Sequence, residues 1–357
     1  MTTGERFVLG GDVGATKIDL AVFAFSDSPS DAGGTPRTSS GAPGPRIVHD
    51  ARVAVRADVP FERVVVDFLG ATLGDAGPRP ELACFGVAGP VQEGVARGVN
   101  LPWAVDASVI AEATGIASVE LRNDLETTAA GVLALPPESL RTIWPGVERP
   151  GTKGVIAAGT GLGQSYLFFD GERHLPAATE GGHVDFAPRD EVEAGLLLYL
   201  LERYDRVSYE RVVSGLGLGD LARYFAERRG IPFADGVARR ITKAEETGED
   251  PNAVISEAGL AGSCPACAAA LDRFCSLYGA QAGNLALTVM SVGGIYVAGG
   301  IAPKILPKLE EGPFLRSLQE KGRYVEFMRE IPVHVVLDPR TSLLGAGRIA
   351  RVAATGG

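Results

Sequence analysis

Cysteine is scarce: the 357-residue chain has four, Cys84, Cys264, Cys267 and Cys275. So few thiols in so long a chain suit a reducing compartment rather than a disulfide scaffold. Positive charge is in deficit, with 34 Lys+Arg against 44 Asp+Glu and a formal charge of −10. That balance argues against a nucleic-acid partner and against an anionic membrane surface. It leaves room for a phosphate-bearing ligand, because backbone amides and a bound cation do much of that work. No apolar run approaches the roughly 20 residues that span a bilayer. No basic stretch leads into an apolar segment ahead of the first strand, which starts near Phe7. The expectation is a cytoplasmic protein.

The length is comfortable for two domains, and 45% apolar with 22% charged residues is ordinary for a globular chain. Arg6 to Asp12 and Lys17 to Phe25 read as strands joined by the Gly14-Ala15-Thr16 turn. Ser26 to Arg46 has no large aliphatic or aromatic residue, so it is expected to be an exposed excursion. Ile47 to Val55 and Glu81 to Val87 read as strands, with a helix over Phe61 to Leu73 between them. Ser118 to Leu121 is a short strand running into Asn123-Asp124, and a helix follows to about Leu135. Prolines 136, 137, 145 and 150 then mark a plausible domain boundary. The expected division is 1–124, completed by a C-terminal helix over 342–357, and 125–341.

Gly154 to Ala158 and Ser165 to Phe169 form a second strand–turn–strand unit that echoes the first and suggests a duplication. Helices are expected over Glu191 to Tyr204, Tyr209 to Arg229 (broken by glycines) and Pro265 to Val292, with strands at Ile295 to Ala298 and Val333 to Leu337. Strands alternating with helices in this way imply an α/β fold.

Six segments carry candidate chemistry. Gly10-Gly11-Asp12-Val13-Gly14-Ala15-Thr16-Lys17 offers backbone amides for a phosphate, a carboxylate at a strand end for Mg²⁺ through water, a hydroxyl and a cation. Read by itself it is equally a tight hairpin turn. Ala158-Gly159-Thr160-Gly161-Leu162-Gly163 is a second glycine turn, matching neither a P-loop nor a dinucleotide fingerprint. Two such turns, one per domain, are better explained by one nucleotide gripped from both sides. Val297-Ala298-Gly299-Gly300-Ile301 ends a strand in glycines, against which a flat adenine or ribose can lie.

Asn123-Asp124, with Glu126 three residues on, reads as a helix capping box. The same position also suits a base that orients a hydroxyl and takes its proton in phosphoryl transfer. In Thr179-Glu180-Gly181-Gly182-His183-Val184-Asp185, a carboxylate and an imidazole flank two glycines, which suits sugar hydroxyls. Ser208-Tyr209-Glu210-Arg211 adds Glu210 as another acceptor, and is otherwise an ordinary helix start.

These segments, in this order and over nearly the whole chain, resemble the bacterial glucokinase family of the sugar kinase/actin/Hsp70 superfamily. The resemblance is most specific at Glu180 to Pro188, at Ala88-Gly89-Pro90-Val91 and at Glu210 to Gly215. It implies two actin-like, ribonuclease H-like α/β domains around a central cleft holding ATP, Mg²⁺ and glucose. It implies a glycolytic, ATP-dependent transferase making glucose 6-phosphate, with Asp124 as catalytic base. By the same resemblance Asn100, Asn123, Asp124, Glu180, His183 and Glu210 bind the hexose. Gly11, Asp12, Gly14, Thr16, Lys17, Gly159, Thr160, Gly161, Gly163, Gly299 and Gly300 hold the nucleotide, and Asp12 the Mg²⁺. A homodimer is compatible with the sequence, which does not fix the oligomeric state.

The chain departs from the family pattern at three places: Ala15, where a second glycine is usual; Val99 ahead of Asn100; and the Ser26–Arg46 insert. The related repressor/kinase family is the alternative, as a sugar-sensing regulator or a kinase for another hexose or N-acetylhexosamine. That family carries zinc near its Gly-His element, and its repressors carry an N-terminal helix-turn-helix. Here no cysteine lies between His183 and Cys264, and nothing before Val8 can hold such a motif. Cys264, Cys267 and Cys275 have possible ligand spacing, but on a helix they fill one face.

Overall fold

The computed structural model describes residues 5–25, 46–74, 79–97 and 101–355. The Ser26–Arg46 excursion, apart from Arg46, lies outside the described residues, as do Val99 and Asn100. The chain divides into two compact units, one drawn from Met1–Leu140, Leu175–Ala178 and Asp338–Gly357, the other from Arg141–His174 and Thr179–Leu337.

The first unit opens with β1 (Arg6–Val13), β2 (Lys17–Phe25), β3 (Arg46–Ala54), α1 (Phe61–Leu73) and β4 (Leu82–Val87). The short strands β5 (Val91–Gln92), β6 (Val95–Ala96) and β7 (Val105–Asp106) precede α2 (Ala107–Thr114), β8 (Ser118–Asn123) and α3 (Asp124–Val132). Its main sheet has the order β3-β2-β1-β4-β8. β1 runs antiparallel to β2 and parallel to β4, which is parallel to β8. Phe7 to Gly11 of β1 are all buried, an unbroken run that marks a strand covered on both faces. α1 buries Phe61, Val64, Val65, Phe68 and Leu69, one stripe at helical spacing, and its ends are those the sequence predicts.

The second unit begins with β9 (Leu140–Trp144), β10 (Lys153–Ala158) and β11 (Leu162–Phe169), and β12 (His174–Thr179) follows, its residues 175–178 grouped with the first unit. There follow α4 (Glu191–Leu201), α5 (Gly215–Arg228), α6 (Asp235–Thr247), α7 (Pro251–Leu260) and α8 (Pro265–Val289). β13 (Ile295–Ala298), α9 (Leu306–Glu310), α10 (Pro313–Gln319), α11 (Val325–Arg329) and β14 (Val333–Val336) complete it. The sheet order is β12-β11-β10-β13-β14-β9. β10 is antiparallel to β11 and parallel to β13, and β13 is parallel to β14, so β9 aside the strand order of the first sheet recurs. α8 is buried along most of its length, including Cys267 and Cys275, as the core helix of this unit. Burial pushes the Cys267 thiol up to about 12. Among the described residues no single helix is long and apolar enough to cross a membrane.

α12 (Thr341–Ala354) belongs to the first unit and packs on α3. A Cβ on Gly131 would overlap the Thr341 carbonyl oxygen, and one on Gly345 the Thr127 carbonyl oxygen. The two helices therefore meet backbone to backbone, which places α3 with the first unit, past the expected division at 124. The expected helix over Tyr209 to Arg229 is a 3₁₀ turn at Tyr209–Arg211 followed by α5. The break is set by Ser214, whose side chain accepts from the Gly217 amide (3.2 Å) and starts a new helix. β11 begins three residues earlier than expected, so Gly163 lies in the ladder opposite Ala157.

Candidate active site

In the first unit the candidate residues gather at the C-terminal ends of parallel strands. Val13, Val87 and Asn123 are register partners across β1, β4 and β8, so the chain leaves all three strands side by side. Such an edge is the usual ligand site of open α/β sheets. The first turn is closed by the Gly14 amide on the Lys17 carbonyl (3.0 Å), with Ala15 and Thr16 exposed. Ala15 has no positive φ, so alanine there strains nothing. Gly11 lies inside the sheet, where a side chain would strike Phe85 and Leu20; packing explains that glycine.

Asp12 stands opposite Asp19 across the β1–β2 ladder, two like charges that need compensation. Arg52 pairs with Asp19 at 2.6 Å, and Lys17 lies 3.7 Å from it. Burial pushes the Asp12 carboxyl above its ordinary range; a hydrogen bond donated by the Ser342 hydroxyl (2.9 Å) opposes this. Ser342 also meets the Thr127 hydroxyl at 2.9 Å, and Thr127 donates to the Asp124 carbonyl at 2.9 Å.

The expected capping box is present. The Asn123 side chain accepts from the Leu125 amide (2.9 Å), while Glu126 accepts from the Asn123 amide (3.2 Å). Asn123 Nδ2 donates to the Gly89 carbonyl (3.1 Å), tying the Ala88-Gly89-Pro90 loop to the start of α3. The cap fixes the chain direction there, and Asp124 is the first residue of the helix, half-buried. The cap and a functional role for Asp124 are compatible.

In the second unit the candidate segments converge on the turn between β10 and β11. Within it the Gly159 amide donates to the Gly161 carbonyl (2.8 Å), and the Leu162 amide donates to Glu210 Oε2 (2.9 Å). These two amides are committed, which leaves Thr160 and Gly161 as the turn's donors for an anion. Gly299 has φ of 85° and abuts Ala158 so closely that a Cβ would overlap its carbonyl oxygen. The end of β13 therefore lies against the start of the turn. Gly300 is exposed with open space beside it.

The Glu180-Gly181-Gly182-His183 segment reaches the other end of the turn. Gly182 sits where a Cβ would overlap the Leu162 carbonyl oxygen, so only glycine permits that approach. The Gly181 carbonyl accepts from Gln164 (3.0 Å) and Gln281 (3.3 Å). His183 stands between two carboxylates, 3.8 Å from Glu180 Oε2 and 3.8 Å from Glu210 Oε1. Those separations exceed a hydrogen bond. His183 is 55% and Glu180 62% exposed at the side chain, unlike a structural histidine bonded in a core. The cluster offers alternating acceptors and donors to an entering polyhydroxyl ligand.

Ser342, Thr127 and Arg206 were invisible to sequence reading. Arg206 donates to Asp185 (2.7 Å) and to the His183 carbonyl (2.7 Å), which holds the backbone beneath the imidazole. Ser342 meets Asp12 across 330 positions of chain, and an isolated serine at a helix start carries no signal of that.

Comparison with known proteins adds a family to this geometry. A family model described as Glucokinase matches residues 9–353. A glucokinase of Nostoc punctiforme is 36% identical over 353 residues, covering 96% of this chain and 98% of that protein. The crystal structure of a glucokinase from an Antarctic psychrotroph superposes with a TM-score of 0.79 at 26% identity, covering 98% of this chain and 99% of that one. A ROK family glucokinase from Streptomyces griseus, solved with glucose and AMPPNP, has the same fold at a TM-score of 0.60 and 22% identity, covering 97% and 99%.

Proposed function

The chain belongs to the glucokinase family, and from that premise we propose that it transfers the γ-phosphoryl group of ATP to the 6-hydroxyl of glucose, giving glucose 6-phosphate and ADP. The observation that carries this reading is the Glu180–His183–Glu210 cluster, exposed at Glu180 and His183 and built directly onto the glycine turn through the Leu162 amide. A sugar site and a phosphate site thus share one peptide, that of Leu162. The Streptomyces griseus structure with glucose and AMPPNP supports the same pair of ligands.

In this reading Asp124 orients the 6-hydroxyl and accepts its proton late, since a metaphosphate-like transition state asks little of a base. Asn123, already spent on the cap and on Gly89, keeps one amide N–H for a sugar oxygen. Glu180, His183 and Glu210 hold the remaining hydroxyls, and Asn100 joins them by resemblance. Amides of Thr160 and Gly161, with the Ala15–Thr16 turn and Lys17, receive the phosphates; Gly299 and Gly300 give the adenosine a flat backbone surface. Asp12 fits a Mg²⁺ held through water, being a largely buried carboxylate with one oxygen on Ser342. The cation, when bound, supplies positive charge against the β- and γ-phosphates. We place the reaction in the cytoplasm, on the sparse, free cysteines.

Replacing Asp124 by Asn tests the assignment. kcat should fall by about 10²-fold or more, the scale of a positioned general base, while calorimetry still registers glucose binding. Near-normal turnover in that variant removes Asp124 from the chemistry.

A further inference from the structure

Segment 207–215 holds hands with both halves of the proposed site. Toward the sugar side, the Phe186 amide donates to the Val207 carbonyl (3.0 Å) and the Tyr209 amide to the Val184 carbonyl (2.9 Å). Toward the nucleotide side it grips both ends of the glycine turn. The Gly215 amide donates to the Gly159 carbonyl (2.9 Å), and Glu210 Oε2 accepts from the Leu162 amide (2.9 Å). A Cβ on Gly161 would overlap the Glu210 carboxylate, so that carboxylate packs directly on the turn.

Glu210 itself spans the two functions. Its Oε1 faces His183 at 3.8 Å while its Oε2 holds Leu162. A carboxylate is planar, so a hydroxyl drawn to one oxygen fixes the orientation of the other. The Leu162 peptide is also confined from its carbonyl side by Gly182, a residue of the sugar segment. Ordering the sugar segment therefore orders the peptide that closes the phosphate turn.

We propose that Glu210 is a positioning residue that couples the two substrates: sugar bound at one carboxylate oxygen stiffens the Gly159–Gly163 turn through Leu162 and tightens nucleotide binding. The inference rests on the kinase reading. By linkage, nucleotide tightens sugar by the same factor; couplings of this kind are typically about 5- to 150-fold. Simple electrostatics gives the opposite expectation for loss of Glu210. Removing a negative charge beside a phosphate site should tighten an anionic nucleotide, whereas removing the clamp should weaken it.

The test is calorimetric titration of AMPPNP with Mg²⁺, with and without saturating glucose, in the parent protein, Glu210→Ala, Glu210→Gln and Glu180→Ala. In the parent, glucose should tighten AMPPNP by about 5-fold or more. Without sugar, Glu210→Ala should bind AMPPNP several-fold more weakly than the parent, and Glu210→Gln, which keeps an acceptor for Leu162, should lie closer to the parent. Glu180→Ala should lose sugar affinity and keep parental AMPPNP affinity. The inference is overturned if Glu210→Ala binds AMPPNP as tightly as the parent or more tightly, or if Glu180→Ala weakens it equally. A parent that phosphorylates glucose, yet binds AMPPNP with an affinity indifferent to glucose, overturns the coupling and leaves the kinase reading standing. A parent that phosphorylates no hexose overturns both.

Discussion

The two glycine turns occupy the same place in two similarly ordered sheets, yet they are held by different parts of the chain. The first, Gly14-Ala15-Thr16, closes on itself through Gly14 and Lys17 and projects exposed residues. Its neighbouring carboxylate, Asp12, is tied to α12 by Ser342, and through Thr127 to the backbone of Asp124. The second, Gly159–Gly163, is gripped at both ends by segment 207–215 and pressed by Gly182. One turn is wired to the residue read as the base, the other to the residues read as the sugar site. Two similarly placed hairpins are thus held by different contacts, each supplied by the sequence that packs on it.

The comparison breaks most visibly at Gly182. Gly182→Ala puts a methyl into the Leu162 carbonyl, an overpacking that costs about 1–3 kcal/mol. Sugar kcat/KM should fall at least about 10-fold if that strain is relieved by displacing the sugar segment. Gly159→Ala, whose Cβ meets open space, should leave the melting temperature unchanged. Equal thermal stability of the two variants would mean that Gly182 is not the contact holding the second turn.

The connection on the first turn is probed at Ser342. Ser342→Ala removes the hydroxyl shared by Asp12 and Thr127, a loss of about 1 kcal/mol for an ordinary hydrogen bond. kcat should fall about 5-fold, with the KM for sugar nearly constant, and Ser342→Thr should restore most of it. A KM effect without a kcat effect would detach Ser342 from the first turn and its neighbouring base.

An effect on stability alone, with activity unchanged, separates the second unit's scaffold from its site. His334 is held at the β13–β14–β9 side of the sheet by Tyr296 (ring centroids 4.9 Å) and Thr142 (2.9 Å). Burial lowers its pKa to about 4. The folded state then binds fewer protons than the unfolded state, whose histidine titrates near 6.5. Stability is therefore full above about pH 6.5 and declines as pH falls toward 4, by up to about 3 kcal/mol. Urea unfolding of the parent and of His334→Gln at several pH values should show a shallower acid slope in the variant. Parallel slopes would remove His334 as the cause.

Much of the framework was legible because burial leaves a mark on sequence. The buried run Phe7–Gly11 of β1 and the five-residue stripe of α1 are local patterns, and both stand in the sequence with nearly the right ends. α6 was not read, since only Val237 and Ala244 of its residues are buried and its surface is mostly polar. In the site, residue type and order pointed to Glu180, His183, Glu210 and Asp124, but not to how they are held. Reading Gly159 to Gly163 as a row of phosphate donors overlooked that two of its amides are already taken, one by a carboxylate 48 residues away. Asn123 shows the converse: the cap and the functional position are one arrangement, so neither reading excluded the other.

The central claim is that this chain phosphorylates glucose and that the Glu180–His183–Glu210 cluster reads the sugar. The most direct measurement is kcat/KM with ATP for glucose, mannose, galactose, fructose and N-acetylmannosamine, in the parent and in His183→Ala. A site that pairs each hydroxyl rejects an altered sugar strongly, by up to about 10⁴-fold, because its own polar groups are left unpaired. The account predicts that the parent prefers glucose and that His183→Ala flattens the preference more than it weakens ATP binding. A parent that prefers N-acetylmannosamine, or discriminates among none of the five, would contradict it.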